Sequence, residues 1–226
     1  MPAHEQISVS SAIEDYAKAI YALETRSEST VSTNAIAERL GVTAASASGM
    51  VKRLDELGLV AHQPYRGVSL TPDGRRVALE VMRHHRLLEL FLVESLGVPW
   101  DRVHGEAEVL EHVLSEELEE LIAAKLGHPT RDPHGDPIPT RDLTIEERPT
   151  QSLQSLQSGM VGRFTRVSDS DPDMLRFLAD RGIAPGDRFE VVDKQPFDGP
   201  LFVRFGDQVH VLGGGLATAM RVECPE

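Results

Sequence analysis

A cluster of prolines divides this chain of 226 residues into two parts with different hydrophobic periodicity. Five prolines lie between Pro129 and Pro149, and proline interrupts a helix because it lacks a backbone N–H and clashes with the preceding turn. Before this segment the apolar residues recur at helical spacing, whereas after it they alternate as they do in β-strands. The sequence therefore predicts a mainly α-helical first part and a small β module, joined by a turn-rich and partly extended linker.

The first third of the chain has the pattern of a helix-turn-helix. Apolar spacing predicts three helices, over 10–23, 32–40 and 43–57. Gly41 supplies the turn between the second and the third, and Ser11 and Glu14 match a capping box at the start of the first. The third helix then occupies the recognition position of the motif.

A hairpin wing and a long helix follow this motif. Two short β patterns, at 59–62 and 68–70, are joined by a turn that carries Arg66 at its tip. Pro72 suits the first position of a long helix over 72–95, because its fixed φ is already helical. Together these elements predict a winged helix-turn-helix.

The remaining elements change from helix to strand at the prolines. A further helix is predicted over 101–126. Beyond the linker, one short helix begins at Asp171 and Pro172, and four strands are predicted over 161–167, 188–192, 201–205 and 208–212. These short strands indicate a small barrel-like module.

Charge and cysteine content narrow the class of protein. The chain has a net charge of −13, but residues 31–76 hold 6 Lys and Arg against 4 Asp and Glu, so this stretch can meet a polyanion. The single cysteine, Cys224, excludes an internal disulfide framework and suits a reducing cytoplasm. The N-terminus lacks the pattern of a signal peptide, and no apolar run reaches the length of a bilayer span. We therefore expect a cytoplasmic protein with no membrane partner.

Histidines and acids are clustered in the helical region between the wing and the prolines. Four of them fall on one face, about 100° wide, of the predicted helix over 101–126: His104, Glu108, Glu111 and His112. His85 and Glu89 form an i,i+4 pair on the preceding helix. Close carboxylates repel each other unless a cation lies between them, and neutral imidazoles complete the coordination of a divalent ion. A solvated acidic face has similar spacing, so the residues alone leave a metal site and a charged surface both open.

The order and spacing of these residues, downstream of a winged helix, resemble the diphtheria toxin repressor family of metal-dependent regulators. The matching residues are the pair at 85 and 89 and the stretch over 103–112, while the segment 132–139 and the closing β module resemble that family's linker and SH3-like domain. The resemblance implies three domains: a winged helix-turn-helix DNA-binding domain (1–76), a helical metal-binding and dimerisation domain with the Pro-rich linker (77–150), and an SH3-like β barrel (151–226).

The resemblance also implies two metal sites in each subunit. The first would combine an acid of the first helix with three residues of the later helix: Asp15, Glu108, Glu111 and His112. The second would combine three residues of the helical region with one oxygen ligand from the β module: His85, Glu89, His104 and either Asp169 or Asp171. By its own sequence Asp15 is an ordinary acid of a first helical turn, and only its match to the family makes it a ligand.

The ligand types of the first site suggest its metal. Iron-sensing members of the family carry a methionine and a cysteine where this chain has Asp15 and Glu108, and manganese-sensing members carry acids at both positions. A set of oxygens with one imidazole suits a hard divalent ion, so Mn²⁺ is expected and Fe²⁺ is the alternative. The small manganese regulators carry a second acid one turn after the first, whereas this chain has Lys18, which argues against a tightly bridged pair of manganese ions.

The resemblance assigns DNA-facing positions as well. On the recognition helix these are Thr43, Ala45, Ser46 and Ser48. Their small side chains allow methyl contacts and hydroxyl hydrogen bonds to bases, but not bidentate readout of guanine. Lys52, Arg53 and the wing's Arg66 would neutralise phosphates. Apolar residues over 87–96 exceed what one helix face needs, so they fit either a homodimer interface or the core of one chain.

We therefore expect a Mn²⁺-activated transcriptional repressor that binds double-stranded operator DNA as a metal-loaded homodimer and controls metal-ion homeostasis. An iron-responsive regulator of the same architecture and a metal-independent winged-helix protein are alternatives. A metallohydrolase is another, since His and Glu side chains on helices can activate water. No recognised hydrolase helix motif is present, however, and the ligand set fills the coordination shell, so we expect no enzymatic activity.

Overall fold

The computed structural model describes residues 10–25, 30–63, 66–197 and 199–225. In these ranges the chain forms two compact units that are interleaved in the sequence. The first unit contains the described residues up to His84 together with 111–113 and 139–144, and the second contains 85–110, 114–138 and the described residues from 145 onward. None of the helices in these ranges combines the length and the apolar character that a bilayer span requires.

The first unit opens with three helices and a hairpin wing. Its helices are α1 (Ser11–Glu24), α2 (Thr33–Leu40) and α3 (Ala44–Glu56). Its wing is an antiparallel pair of strands, β1 (Val60–Gln63) and β2 (Gly67–Leu70). The turn between α2 and α3 contains Gly41, whose φ of 64° is a left-handed conformation that glycine adopts without strain. This order of elements confirms the predicted winged helix-turn-helix.

Caps and core packing explain why these residues fold in this way. The hydroxyls of Ser32 and Thr43 accept hydrogen bonds from backbone N–H groups in the first turns of α2 and α3. The fully buried side chains of Ile20, Ile36 and Leu54 come from the three helices and share one core. Because burial of apolar surface is the dominant favourable term in folding, this core fixes the recognition helix α3 against α1 and α2.

The start of α1 differs from the prediction. The N-cap residue is Ser10 rather than Ser11, and its side chain makes no capping hydrogen bond within the described part of the chain. The carboxylate of Glu14 instead accepts a hydrogen bond from Nδ1 of His112 at 2.6 Å. The predicted capping box is therefore wrong, because a partner from a distant part of the chain binds the carboxylate.

The long helix α4 (Pro72–Leu96) follows the wing, close to its predicted range. Oγ1 of Thr71 caps its start by accepting a hydrogen bond from the backbone N–H of Gly74 at 3.1 Å. Gly74 also lies against the backbone of Leu59, where an added Cβ would be 1.9 Å from the carbonyl oxygen. Glycine at this position therefore permits a close approach between α4 and the residue before the wing.

The helix predicted over 101–126 is two helices, α5 (Val103–Leu110) and α6 (Glu116–Lys125). The hydroxyl of Ser115 accepts a hydrogen bond from the backbone N–H of Leu118 and so caps a new helix. The prediction of one helix is wrong because this cap begins a second helix where the hydrophobic pattern alone continues. As a result, Glu111 and His112 lie in a turn and not on the helical face of α5.

The proline segment is more ordered than a solvated linker. Oδ1 of Asp132 accepts hydrogen bonds from the backbone N–H groups of His134 and Asp136, both at 2.9 Å, which closes a tight turn. Gly135, with a φ of 89°, packs so closely on Thr165 that a Cβ would lie 1.9 Å from its carbonyl oxygen. The segment is turn-rich as predicted, and it is also packed against the β module.

The β module is a six-stranded antiparallel sheet of order β3-β8-β4-β5-β6-β7. Its strands are β3 (Gln151–Ser152), β4 (Val161–Arg166), β5 (Arg188–Lys194), β6 (Leu201–Phe205), β7 (Gln208–Leu212) and β8 (Arg221–Glu223). Two helices, α7 (Pro172–Ala179) and α8 (Gly214–Ala219), accompany the sheet. Phe164, Leu175 and Val203 are fully buried in its core. The fold class is thus as predicted, while β3, β8 and α8 were not predicted.

The close approach at Gly74 gives a stability prediction. Gly74→Ala should lower the free energy of unfolding of the first unit by about 1–3 kcal/mol, because a methyl group would overlap a backbone carbonyl. Gly49→Ala is the matched control, since Gly49 lies in α3 with nothing within 4 Å of an added Cβ. That change should raise the free energy of unfolding by about 0.5–1 kcal/mol. Urea unfolding followed by circular dichroism measures both, and equal stability of the two variants would contradict the packing argument.

Candidate metal centre

A first cluster of potential ligands lies in the first unit. Asp15 belongs to α1, and Glu111 and His112 belong to the turn at 111–113. Nε2 of His112 lies 3.1 Å from Oδ1 of Asp15 and 3.7 Å from Oε1 of Glu111. One ligand atom from each of the three residues lies within 4.8 Å of the other two. Oxygen ligands bind divalent ions at about 2.0–2.6 Å, which separates opposite ligands by about 4–5 Å, so this donor set fits one ion.

His112 is held between carboxylates on both sides of its ring. Nδ1 donates a hydrogen bond to Oε2 of Glu14, which leaves Nε2 directed toward Asp15. A carboxylate offers only acceptors, so a cation between Nε2 and Asp15 would stabilise this close contact. Outer carboxylates commonly orient ligating histidines in this way. Sequence reasoning missed this role of Glu14, and its only signal is the adjacency of Glu14 to Asp15.

Glu111 has a cationic partner and a second anchor. Nζ of Lys18, one turn after Asp15 on α1, lies 2.5 Å from Oε1 of Glu111, whose side chain is fully buried. The backbone carbonyl of Glu111 accepts a hydrogen bond from Nδ1 of His84 at 3.1 Å. His84 is only 8% exposed, so this hydrogen bond is shielded from water. Both contacts fix the position of the Glu111 carboxylate.

A second cluster lies in the second unit and consists of His85, Glu89, His104 and Asp169. Oε1 of Glu89 lies 3.0 Å from Nε2 of His85 and 3.3 Å from Nδ1 of His104. Oδ2 of Asp169 lies 3.0 Å from the same nitrogen of His104. Ligand atoms of the four residues lie within 4.8 Å of one another, so two imidazoles and two carboxylates can surround one divalent ion.

The charges in the second cluster depend on these contacts. Burial would raise the pKa of Glu89, but hydrogen bonds from His104 and His134 hold it well below its ordinary value. The hydrogen bond to Asp169, together with one to Glu89, raises the pKa of His104 to about 10. Burial would also raise the pKa of Asp169, but the hydrogen bond from His104 lowers it. His104 is therefore protonated at neutral pH, and binding of a metal ion has to displace that proton.

The proline segment extends the second cluster. Nδ1 of His134 lies 3.6 Å from Oε2 of Glu89, and Nε2 donates a hydrogen bond to the carbonyl of Trp100 at 2.8 Å. Burial would lower the pKa of His134, but the hydrogen bond to Glu89 raises it to about 9. Burial and the neighbouring Asp136 raise the pKa of Asp132 to about 8. Glu89, Asp132 and His134 form a further group of potential ligands, which sequence reasoning missed because their spacing lacks a helical pattern.

Two predicted ligands have other neighbours. Oε1 of Glu108 lies 3.6 Å from Nε2 of His104 and 3.8 Å from Nδ1 of His85, so within the second unit it borders the second cluster. Its assignment to the first ion remains a prediction. Oδ1 of Asp171 accepts hydrogen bonds from the first turn of α7, at 3.0 Å from Asp173 N. The structure thus brings Asp169 to the histidines and uses Asp171 as a helix cap.

The predicted DNA-facing residues are all exposed: Thr43, Ala45, Ser46, Ser48, Lys52, Arg53 and Arg66. Two of them also serve the recognition helix itself. The hydroxyl of Thr43 accepts a hydrogen bond from Ser46 N, and that of Ser48 donates one to the carbonyl of Ala44. Nζ of Lys52 lies 3.8 Å from Oε1 of Glu56, a weak surface pair that leaves the ammonium accessible.

Family models match the chain over three consecutive stretches. The model described as "Iron dependent repressor, N-terminal DNA binding domain" matches residues 8–68. The model described as "Iron dependent repressor, metal binding and dimerisation domain" matches residues 71–140. A model of the FeoA domain matches residues 151–224, which contain the β module.

Individual relatives match over nearly the whole length. The iron-dependent repressor IdeR of Mycobacterium leprae is 33% identical over 222 residues, which cover 93% of this chain and 96% of the relative. The diphtheria toxin repressor of Corynebacterium diphtheriae is 30% identical over 223 residues, with coverage of 93% and 96%. A solved structure described as "Manganese-dependent transcriptional repressor complex with manganese" is 44% identical, with a TM-score of 0.85 and coverage of 94% and 100%. This chain therefore belongs to the diphtheria toxin repressor family, whose members are metal-dependent, DNA-binding transcriptional repressors and not enzymes.

Proposed function

We propose that this protein is a Mn²⁺-activated repressor that binds operator DNA as a metal-loaded homodimer and controls metal-ion homeostasis in the cytoplasm. The observation that carries the proposal is the convergence of Asp15 with Glu111 and His112 from a distant part of the chain. We retain the domain boundaries 1–76, 77–150 and 151–226 as part of the proposal. An Fe²⁺-dependent repressor is the second candidate, because the relative from M. leprae is an iron-dependent repressor.

The donor atoms support Mn²⁺ as the metal. In the part of the chain that the structure describes, both clusters offer only carboxylate oxygens and imidazole nitrogens. Mn²⁺ is a hard ion that prefers such donors, whereas sulfur donors favour softer ions. The 44% identical structure described as a manganese complex supports the same choice. Affinity alone favours later transition metals, so selectivity for Mn²⁺ has to come from geometry and metal availability.

The first cluster links the proposed metal site to the recognition helix. A bound divalent ion supplies positive charge and a fixed coordination geometry. Asp15 then holds α1 against the turn at 111–113, where the carboxylates would otherwise repel each other. Since Ile20 of α1 shares its core with Leu54 of α3, an ordered α1 also orders the recognition helix. We propose that metal binding shifts the population toward the arrangement that binds DNA.

The second cluster is proposed as a second metal site, with His85, Glu89, His104 and Asp169 as its ligands. The proton on His104 partly neutralises the carboxylates of Glu89 and Asp169 and so stabilises the cluster before metal binds. Loss of that proton frees a nitrogen for the ion. Asp132 and His134 adjoin Glu89. We propose that they either orient the Glu89 carboxylate or act as further ligands of the ion. Asp171 is no longer proposed as a ligand, because its carboxylate caps α7.

The dimer is proposed from exposed apolar side chains of the helical region. Leu96 of α4, Val109 of α5 and Leu121 of α6 are each more than half exposed, although water disfavours such surface. The residues over 87–92 that sequence analysis weighed for the interface are largely in the core, since Leu87, Leu88 and Leu92 are buried. The match to a metal-binding and dimerisation domain supports homodimerisation.

Asp15 provides the main test of the proposed function. Asp15→Ala removes one oxygen ligand from a partly exposed side chain, so the protein should stay folded. We expect Mn²⁺ affinity to fall by at least about 10–100-fold, the range seen when residues supporting a metal site are changed. DNA binding should then no longer respond to Mn²⁺. Fluorescence anisotropy measures this response with a labelled duplex selected from a random pool by the manganese-loaded wild-type protein.

Asp73→Ala is the matched control for this test, because Asp73 is an exposed acid paired with Arg76 in the same unit. It should leave the Mn²⁺ response unchanged. A wild-type response in Asp15→Ala would contradict the proposed role of the first cluster. Titration of wild-type protein with Mn²⁺, Co²⁺, Zn²⁺ and anaerobic Fe²⁺ distinguishes the manganese from the iron candidate.

Asp169 and Asp171 form a natural pair for testing the second cluster. Asp169→Ala should weaken binding of the second Mn²⁺ ion by about tenfold or more and leave the first unaffected, because it removes a ligand of one cluster only. Asp171→Ala should leave both affinities unchanged and lower the free energy of unfolding by about 0.5–2 kcal/mol through loss of a helix cap. Isothermal titration calorimetry and urea unfolding separate these outcomes. The reverse pattern, with metal binding sensitive to Asp171 alone, would contradict the assignment.

Lys52 and Arg53, which follow the small side chains on the recognition helix α3, provide a test of the DNA interface. A double change, Lys52→Ala with Arg53→Ala, should weaken binding to all duplexes and reduce the slope of log affinity against log salt by about 2, because each phosphate contact contributes about 0.9. Lys125→Ala with Arg141→Ala removes the same charge from exposed positions elsewhere and should leave the slope unchanged. An altered sequence preference with an unchanged salt slope would contradict the phosphate role.

A further inference from the structure

We infer that Lys18 is an internal cation that competes with the metal ion for Glu111 and thereby sets the metal concentration at which the repressor responds. The inference rests on the proposed function of the first cluster as a metal site. The observation that supports this inference is the contact of 2.5 Å between Nζ of Lys18 and Oε1 of Glu111. This contact joins α1 to the turn at 111–113.

Burial makes this contact strong. The side chain of Glu111 is 0% exposed and that of Lys18 is 19% exposed. A carboxylate withdrawn from water to this degree needs a positive partner, and removal of that partner leaves an uncompensated buried charge. The carboxylates that contact His112 in the same cluster, those of Glu14 and Asp15, add only negative charge. Among the described residues of this cluster, Lys18 therefore supplies a permanent positive charge.

The ammonium and a metal ion would use the same oxygen atom. Oε1 of Glu111 faces Nζ of Lys18 and also lies 3.7 Å from Nε2 of His112, within the group of potential ligands. Coordination of an ion by this oxygen requires Nζ to withdraw, since two cations on one side of a carboxylate repel each other. The four-carbon stem of lysine is flexible and partly exposed here, so the ammonium can move toward water while the backbone of α1 stays in place.

The exchange has two consequences for the sensor. The free energy lost with the Lys18–Glu111 contact reduces the affinity of every divalent ion by the same factor, so Lys18 sets the threshold of the response and not the identity of the metal. After the exchange the ammonium remains close to the cluster. Its positive charge then disfavours a second divalent ion beside the first.

The test compares Mn²⁺ binding and metal-free stability in variants of Lys18. Lys18→Met and Lys18→Gln both remove the charge, and Gln keeps a hydrogen-bond donor should Met prevent folding. The measurements use full-length protein with His104→Ala, which disables the second cluster. Electron paramagnetic resonance of unbound Mn²⁺ reports affinity, and thermal unfolding without metal reports stability. Lys125→Met, at an exposed position on α6, is the matched control.

We expect both neutral variants to bind Mn²⁺ about tenfold or more tightly than the parent, equivalent to about 1.4 kcal/mol or more. Their melting temperature without metal should fall, because the buried Glu111 carboxylate loses its contact with the ammonium. The ratio of Mn²⁺ to Co²⁺ affinities should stay constant, and Lys125→Met should change none of these values. A fall in stability alone, with unchanged or weaker Mn²⁺ binding, would show that Lys18 is merely structural and overturn the inference.

One further control separates this inference from the function on which it rests. The parent protein, which carries His104→Ala, should bind one Mn²⁺ ion, and adding Asp15→Ala should weaken that binding by at least about 10–100-fold. If the parent does not bind Mn²⁺, or if Asp15→Ala leaves binding intact, the first cluster is not the metal site and both proposals are wrong. If those controls behave as expected and only the Lys18 variants do not, the inference alone is wrong.

Discussion

Repulsion between like charges is the physical constraint on which the regulatory part of this protein depends. Three carboxylates, those of Glu14, Asp15 and Glu111, surround the ring of His112 within 4 Å. One carboxylate oxygen of Asp15 and one of Glu111 lie within 4.8 Å of each other, and two unit charges at about that separation near a protein surface interact by about 3–4 kcal/mol, so these acids need cations among them. In the proposed function, the identity of those cations, whether ammonium or divalent metal, decides how firmly α1 is held. A local electrostatic balance is thereby connected to the core that α1 shares with the recognition helix.

The parts of the fold that depend on local patterns could be predicted from the sequence. The winged helix, α4 and the four longer strands have clear periodicity, caps and turns, and they lie close to their predicted ranges. The break after Leu110 could not be predicted from hydrophobic spacing, because the apolar stripe continues across it and only the cap at Ser115 marks the new helix. Strands as short as β3 and β8 carry too few residues to show an alternation.

The candidate site was predictable to the extent that its residues share one helix or one turn. His85 and Glu89 share α4, and Glu111 and His112 share one turn, so each pair stands out by spacing alone, whereas Asp15 required the resemblance to a family. Long-range partners gave no such signal, which is why the contacts of Glu14 and His134 were missed. The choice between Asp169 and Asp171 depended on which carboxylate the first turn of α7 uses, and this is a property of the folded backbone.

The environment of Trp100 has an optical consequence. It is the only tryptophan in the sequence, and its ring stacks on that of His134, with centroids 5.8 Å apart and planes inclined by 19°. His134 in turn faces the Glu89 carboxylate. Because a protonated imidazole in contact with an indole quenches its emission, the intrinsic fluorescence of this chain reports the state of the second cluster. The protein thus carries its own spectroscopic probe, at a position where no label has to be introduced.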